Sequence, residues 1–234
     1  MSSNARYWVV IPAAGVGKRM GVDKPKQYIQ VNDKTIIEHT IECFLYRKEI
    51  EKVVVAISKT DEYWPELDIS KHEKVITAPG GEERYQSVFN GLHELKDKAK
   101  EDDWVLVHDA ARPCLSQSAI DRLMIELRQH EVGGLLAMPC RDTMKRANEA
   151  GEIIDTVERE SLWHAQTPQM FKYAKLYSAI SDVLEKGRVV TDEAMAIELS
   201  GFRPLLVKGQ QENIKVTHKD DLNYLETYLN EMKL

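Results

Sequence analysis

Three unbroken apolar runs constrain the fold of this chain most: Tyr7 to Ile11, Val53 to Ile57 and Trp104 to Val107. Each is short and lacks the polar alternation of a half-solvated strand, as expected of strands covered on both faces. Helical patterns lie between them. Thr35-Ile36-Ile37-Glu38 matches a capping box, and Ile37, Ile41, Phe44 and Leu45 then fall on one helical face. Lys74 to Ala78 and Gly134 to Met138 read as further strands. A helix with Val88, Leu92 and Leu95 follows the first, and Ser118 is placed to cap a helix carrying Ile120, Leu123, Met124 and Leu127. Helices over Leu176 to Leu184 and Asp192 to Leu199, a strand over Pro204 to Val207 and an amphipathic helix with Leu222, Leu225, Leu229 and Met232 close the chain. Alternating strands and helices predict an α/β fold, a Rossmann-like, mostly parallel sheet with helices on both faces.

One stretch departs from this pattern. From Arg141 to about Gln166 the helical periodicity stops, Gly151 interrupts, and short alternating pieces appear at Ile153-Ile154, Thr156-Val157 and Leu162-Trp163. This predicts a small β-arm at about 141–166 within one domain spanning 1–234. No internal repeat, low-complexity tract or linker divides the chain.

Composition narrows the function class. The net charge of −6 over 234 residues argues against a general nucleic-acid binder. An anionic substrate would need a local basic pocket and not a global field. Cys43, Cys114 and Cys140 are odd in number and lack metal or disulfide spacing, which points to a reducing compartment. No run reaches transmembrane length, and the first residues lack the order of parts of a signal peptide, so a cytoplasmic protein without membrane contact is expected.

The first apolar run ends in Pro12-Ala13-Ala14-Gly15-Val16-Gly17-Lys18-Arg19-Met20, with Lys24-Pro25-Lys26 beyond. Small residues and glycines let backbone N–H groups form a nest for anionic oxygen, and Lys18, Arg19 and Lys26 follow within reach. Two better-known phosphate loops are excluded. Gly17-Lys18 is followed by Arg19 and not by the Ser or Thr of a P-loop, and Gly21 comes one residue late for a dinucleotide fingerprint. A strand, a small-residue loop and cations suit a polyphosphate; a tight turn with solvated basic residues is the plainer reading.

Other candidates sit at predicted strand ends, where open α/β sheets bind ligands. Pro79-Gly80-Gly81-Glu82, with Ser87 in the next helix, reads as a backbone platform for a flat base or as an ordinary turn. His108-Asp109-Ala110-Ala111-Arg112-Pro113 offers a carboxylate for a divalent cation and a planar fork for a phosphate, or a structural ion pair. Thr143 with Lys145 and Arg146 suits an anion or a solvated hairpin. Thr191-Asp192-Glu193-Ala194 reads as a helix N-cap with acidic first-turn residues, and Lys215 after the last strand as a point charge.

Taken together, P-A-A-G-x-G-x-R-M with Lys24-Pro25-Lys26-Gln27-Tyr28, H-D-A-A-R-P, Asp142-Thr143-Met144-Lys145, Thr156-Val157-Glu158-Arg159, W-x-x-x-T-P-Q from Trp163, and Asn213-Ile214-Lys215-Val216-Thr217 resemble the 2-C-methyl-D-erythritol 4-phosphate cytidylyltransferase family. The resemblance runs from Val10 to Thr217 and implies the GT-A-like nucleotidyltransferase form of the sheet. It implies an enzyme of isoprenoid synthesis joining CTP to a sugar-alcohol phosphate, with Mg²⁺ or another divalent cation. Pro12, Ala13, Ala14, Gly15, Gly17, Lys18, Gly80, Gly81, Glu82, Ser87, Ala110 and Lys215 would hold the nucleotide. Asp109, Arg112, Thr143, Arg159 and Thr191 would meet the acceptor, and Asp109 also the metal. Arg19, Lys26, Arg159 and Lys215 would be catalytic, with Arg159 reaching a neighbouring site in a homodimer. Glu82 stands where the family often has Asp, and Lys18 where Arg is common. The stretch from Lys96 to Asp103 is longer than in compact members and reads as a surface loop. Ribitol 5-phosphate cytidylyltransferase shares most of these motifs, and a nucleotide-binding protein without turnover is the alternative of another class.

Overall fold

The computed structural model describes residues 6–15 and 24–231. Its central sheet has the strand order β11-β7-β10-β6-β1-β4-β5. These strands are β1 (Tyr7–Pro12), β4 (Ile50–Ile57), β5 (Val75–Pro79), β6 (Trp104–Val107), β7 (Gly133–Pro139), β10 (Trp163–Lys172) and β11 (Leu205–Lys208). β1 pairs in parallel with both β4 and β6, and β5 continues the parallel set beyond β4. β10 alone runs antiparallel, wedged between β6 and β7. The mostly parallel α/β sheet is therefore the observed fold, and the strand that breaks it is one the hydrophobic pattern does not reveal. Trp163-His164-Ala165-Gln166-Thr167-Pro168-Gln169 carries too little apolar character to signal a central strand, and a register irregularity and a cis Thr167–Pro168 bond fall inside it.

Six helices are described: α1 (Ile36–Leu45), α2 (Arg84–His93), α3 (Gln117–Leu127), α4 (Tyr173–Glu185), α5 (Glu193–Leu199) and α6 (Asp220–Glu231). The period-2 geometry of strands sorts them into two layers. Val9 and Ile11 of β1, with Val53, Val55 and Leu106, face Ile37, Ile41 and Phe44 of α1 and Ile120, Leu123 and Leu127 of α3. Trp8 and Val10, with Val54, Val105 and Val107, face Val88 and Leu92 of α2, Leu176 and Ile180 of α4, and Ile197 of α5. Both faces of β1 are thus buried, which is why its sequence shows no alternation.

Helix starts follow the local chemistry with two differences. The Thr35–Glu38 capping box forms as expected, Glu38 Oε2 accepting from the Thr35 N–H at 2.8 Å. α3 is capped by Ser116 and not Ser118: the Ala119 N–H donates to Ser116 Oγ at 3.2 Å, and Ser118 lies inside the first turn. α5 is capped by Asp192, which accepts from the Met195 N–H at 2.9 Å, so Thr191 stands just outside the helix.

Two short ribbons flank the sheet. β2 (Gln30–Val31) pairs with β3 (Lys34–Thr35) ahead of α1. β8 (Met144–Ala147) pairs with β9 (Ile153–Val157), the expected β-arm, although the return to the main sheet comes at Trp163 and not Gln166. The stretch ending at Asp103 is anchored and not a loose loop at that end. Asp103 is buried, and its carboxylate accepts from Trp8 Nε1 at 3.1 Å and pairs with Arg6 at 2.9 Å.

Candidate active site

Because β1, β4, β5 and β6 are parallel neighbours, the loops leaving their carboxyl ends meet on one edge of the sheet. A cavity of about 250 Å³ opens there. Its described lining comes from Pro12 to Gly15 at the end of β1 and beyond it, Lys26 and Gln27, Gly81 to Arg84 and Ser87 at the start of α2, Asp109 to Ala111 after β6, and Lys215. A neighbouring hollow of about 610 Å³ shares Ala14, Gly81 and Glu82 and adds Gly80, Gln86 and Asn90.

Backbone contacts fix these loops. The Ala13 N–H donates to the Ala56 carbonyl at 2.8 Å, and the Gly80 N–H to the Ile57 carbonyl at 2.7 Å. A Cβ at Gly80 would lie 2.2 Å from Ala14 Cβ, so the loops after β1 and β5 approach at a spacing that only glycine allows. The Gly81 N–H donates to the buried Ser87 hydroxyl at 2.9 Å, which gives Ser87 a role in shaping the platform. Gln27 Nε2 donates to the Ala13 carbonyl at 2.9 Å.

Lys26 begins a 3₁₀ turn over Lys26–Tyr28, set by Pro25 before it. The turn is bolted down by Tyr28, fully buried, whose hydroxyl donates to Asp61 at 2.8 Å. Lys24 Nζ lies 4.9 Å from the centre of the Tyr63 ring, a cation–π contact on the same platform. Lys26 Nζ donates to the Val216 carbonyl at 2.8 Å, next to Lys215 in the chain. Two lysines far apart in sequence thus converge on one wall.

Asp109 is the electrostatic centre. Its Oδ1 accepts from Arg84 Nε at 3.0 Å, and its Oδ2 meets Lys215 Nζ at 3.0 Å and Arg112 Nε at 3.3 Å. Burial works to raise its pKa, but the charges of Arg84, Lys215 and Arg112 outweigh it and hold the carboxyl well below the usual range. Arg84 is itself gripped from behind: Nη1 and Nη2 donate to the two Glu193 oxygens at 2.6 and 3.1 Å. Glu193 is fully buried, and burial raises its pKa against the opposing charge of Arg84.

His108 supports the same loop from inside. It has no exposed surface, and burial pushes its pKa down to about 4. Its Nε2 lies 3.0 Å from the Arg112 carbonyl and its Nδ1 2.9 Å from Thr167 Oγ1, which accepts from the Asp109 N–H at 3.2 Å. A neutral ring satisfies all three contacts, donating from Nε2 and accepting at Nδ1. His108 therefore fixes the backbone that carries Asp109.

No group of three or more His, Cys, Asp or Glu side chains suited to a metal ion occurs among the described residues. A carboxylate offers about four lone-pair positions, and three on Asp109 are taken by Arg84, Arg112 and Lys215. The donor set fits a cation held mainly by substrate oxygens with Asp109 as a single protein ligand, the usual manner of Mg²⁺, and not a protein-built cage.

The model of the family 2-C-methyl-D-erythritol 4-phosphate cytidylyltransferase (IspD) matches residues 7–231. The chain belongs to this family. It is 52% identical over 224 residues to the 2-C-methyl-D-erythritol 4-phosphate cytidylyltransferase of Vibrio vulnificus strain YJ016, covering 96% of this chain and 94% of the relative. It is 50% identical over 220 residues to that of Pseudomonas entomophila, covering 94% of each. The crystal structure of the Francisella tularensis enzyme superposes with a TM-score of 0.84 at 37% identity, covering 96% of this chain and 100% of that one.

Within the cytidylyltransferase fold, the residues expected from the sequence divide into four sets. Pro12, Ala13, Ala14, Gly15, Lys26, Gly81, Glu82, Ser87, Asp109, Ala110 and Lys215 line the cavity together. Gly80 lines the adjoining hollow, and Arg112 stands behind Asp109, its Nη1 donating to the Asn213 carbonyl at 2.6 Å. Thr143, Arg159 and Thr191 are exposed and do not border the cavity within one chain; Arg159 Nη1 donates to the Arg141 carbonyl. Gly17, Lys18 and Arg19 lie outside the described residues. Sequence reasoning missed Arg84 altogether and read Glu193 as a first-turn acid. Their one signal was an Arg two residues past Gly80-Gly81-Glu82, and a charge pair 109 residues apart leaves no spacing to read.

Proposed function

We propose that this chain transfers a cytidylyl group from CTP to 2-C-methyl-D-erythritol 4-phosphate, giving 4-diphosphocytidyl-2-C-methyl-D-erythritol and pyrophosphate. The observation that carries this reading is the meeting of Lys26, Lys215 and Asp109 in one cavity lining beside the loop Pro12 to Gly15, with Lys215 paired to Asp109 and Lys26 to the Val216 carbonyl, in a chain half identical to enzymes named for that activity. The acceptor phosphate is already an anionic nucleophile, so no general base is required. An oxygen of that phosphate bonds to the α-phosphorus, the bond from the α-phosphorus to the bridging oxygen breaks, and pyrophosphate carries the electron pair away. Catalysis is then positioning and charge neutralisation.

The loop Pro12 to Gly15, with Gly17, Lys18 and Arg19 beyond it, cradles the triphosphate. Gly80, Gly81, Glu82 and Ser87 form the wall for the base, and Ala110 offers backbone to the ribose. Lys26 and Arg19 neutralise the charge that builds at the α-phosphorus. Lys215 draws the two anions together, and Arg112 and Asp109 orient the acceptor. Asp109, together with the bound nucleotide, would hold a divalent cation, Mg²⁺ in our reading, and that ion would supply charge neutralisation for the leaving group. Because Thr143 and Arg159 sit on the exposed arm with Ile153 and Ile154, we assign them to the acceptor site of a second copy in a homodimer. The chain thus acts as one nucleotidyltransferase unit, 1–234, with its arm. No described helix is long and apolar enough to cross a membrane, and the three cysteines are unpaired, which favours a cytoplasmic site of action.

The test is pyrophosphate release with CTP and Mg²⁺, offering methylerythritol phosphate and ribitol 5-phosphate in parallel. Turnover with the first alone is expected. Turnover with ribitol phosphate instead would keep the mechanism and change the acceptor, and silence with both would leave a nucleotide-binding protein without turnover.

A further inference from the structure

Glu193 is the most completely buried carboxylate in contact with the site, and it touches neither the cavity nor Asp109 directly. Among the described residues its hydrogen-bonded charge is Arg84, held through both terminal nitrogens in the fork-on-fork geometry that fixes a guanidinium plane. The third donor of that plane, Nε, is thereby aimed at Asp109 Oδ1. This leaves Oδ2 to Lys215 and Arg112. The division is not what the local charges would choose unaided. A guanidinium beside a carboxylate prefers two parallel bonds to it. Without Glu193, the fork of Arg84 would turn onto both oxygens of Asp109 and compete with Lys215 for Oδ2.

The N-terminus of α5 is built to keep Glu193 in place. Gln169 of β10 donates through Nε2 to Asp192 at 2.9 Å and accepts at Oε1 from the Ala194 N–H at 2.8 Å. The residues on both sides of Glu193 are thus tied to the one antiparallel strand of the sheet. We infer that Glu193, acting through Arg84, is a positioning residue: it divides Asp109 so that one oxygen faces Arg84 and the other holds the Lys215 ammonium where acceptor and triphosphate meet. This rests on the cytidylyl-transfer reading above.

A purely structural ion pair would behave differently under one experiment. Buried ion pairs are often replaceable by apolar residues of similar volume without loss of stability, because desolvation offsets their attraction. The double variant Arg84→Met with Glu193→Leu removes the clamp while filling its space. Arg84→Lys keeps a charge that has no fork. We expect both to melt cooperatively near the wild-type temperature. We expect kcat for pyrophosphate release to fall by about 10²-fold, the scale of a 1 Å misplacement. KM for CTP should stay within about threefold, since the loop after β1 and the Gly81–Ser87 contact that shapes the loop after β5 are kept. Wild-type kcat in either folded variant would overturn the inference, as would a loss of folding in both, which would assign the pair to stability alone. Silence of the wild type would instead overturn the reading on which the inference rests.

Discussion

Asp109→Asn tests the electrostatic centre without changing its shape. The side chain is 10% exposed and meets three cations, so removing its charge leaves all three short of a partner. Compensation differs among them. Arg84 keeps Glu193, Arg112 keeps the Asn213 carbonyl, and Lys215, at 40% exposed, turns to water. Two charge-assisted bonds from the arginines are therefore the main loss, about 3 kcal/mol at the low end of about 1.5 each. That lies at the bottom of the range of about 3–5 kcal/mol for stripping one partner from a buried pair, as expected when the orphaned cations keep other contacts. For a domain of this length, roughly 2–4 °C is lost per kcal/mol, so Tm should drop by about 10 °C in a calorimetric scan. The pH dependence has a definite sign. The folded-state pKa of Asp109 is depressed, so its contribution is complete above the unfolded value near 3.8 and is lost as pH falls toward the folded one. The gap between wild type and variant should be constant from about pH 8 to 5 and narrow only below about pH 4. A Tm within about 2 °C of wild type at pH 7 would refute the view that three cations draw on one carboxylate.

Four further outcomes are expected. His108 has a folded pKa near 4 against 6.5, so the unfolded chain takes up a proton first; its contribution is present above about pH 6.5 and falls away toward pH 4. His108→Gln should flatten that acid-side loss, worth about 3 kcal/mol across the window, in urea titrations at successive pH values. Gly80→Ala places a Cβ 2.2 Å from Ala14 Cβ, and should raise KM for CTP by about tenfold or more while leaving expression intact, as read in steady-state kinetics. Lys26→Ala should lower kcat by about 10²–10³ with a small change in KM, whereas Arg159→Ala should raise KM for the acceptor; the opposite split would exchange their roles.

The sheet was legible because a doubly covered parallel strand must be apolar along its length. Val53 to Ile57 and Trp104 to Val107 admit no other place, and their carboxyl ends name the edge where the cavity opens. The close turn at Gly80-Gly81 and the Thr35–Glu38 cap were equally readable, because each depends on residues within a few positions of one another. β10 was hidden because its polar residues serve the site and its neighbours come from distant segments: Thr167 holds the Asp109 N–H and Gln169 holds the start of α5.

The sequence by itself determined the α/β sheet covered on both faces, the edge where the strand-end loops gather and the kinds of charge found there. Hydrophobic periodicity and local capping are properties of neighbouring residues. Which charges meet was decided only by the tertiary structure. Asp109, Arg84, Glu193 and Lys215 come from four segments, and their pairing depends on the parallel register that brings β1, β5 and β6 to a common edge and on the antiparallel strand that carries Gln169 to α5. Electrostatic partners are selected by distance and burial in three dimensions, and neither is written in the spacing of residues along the chain.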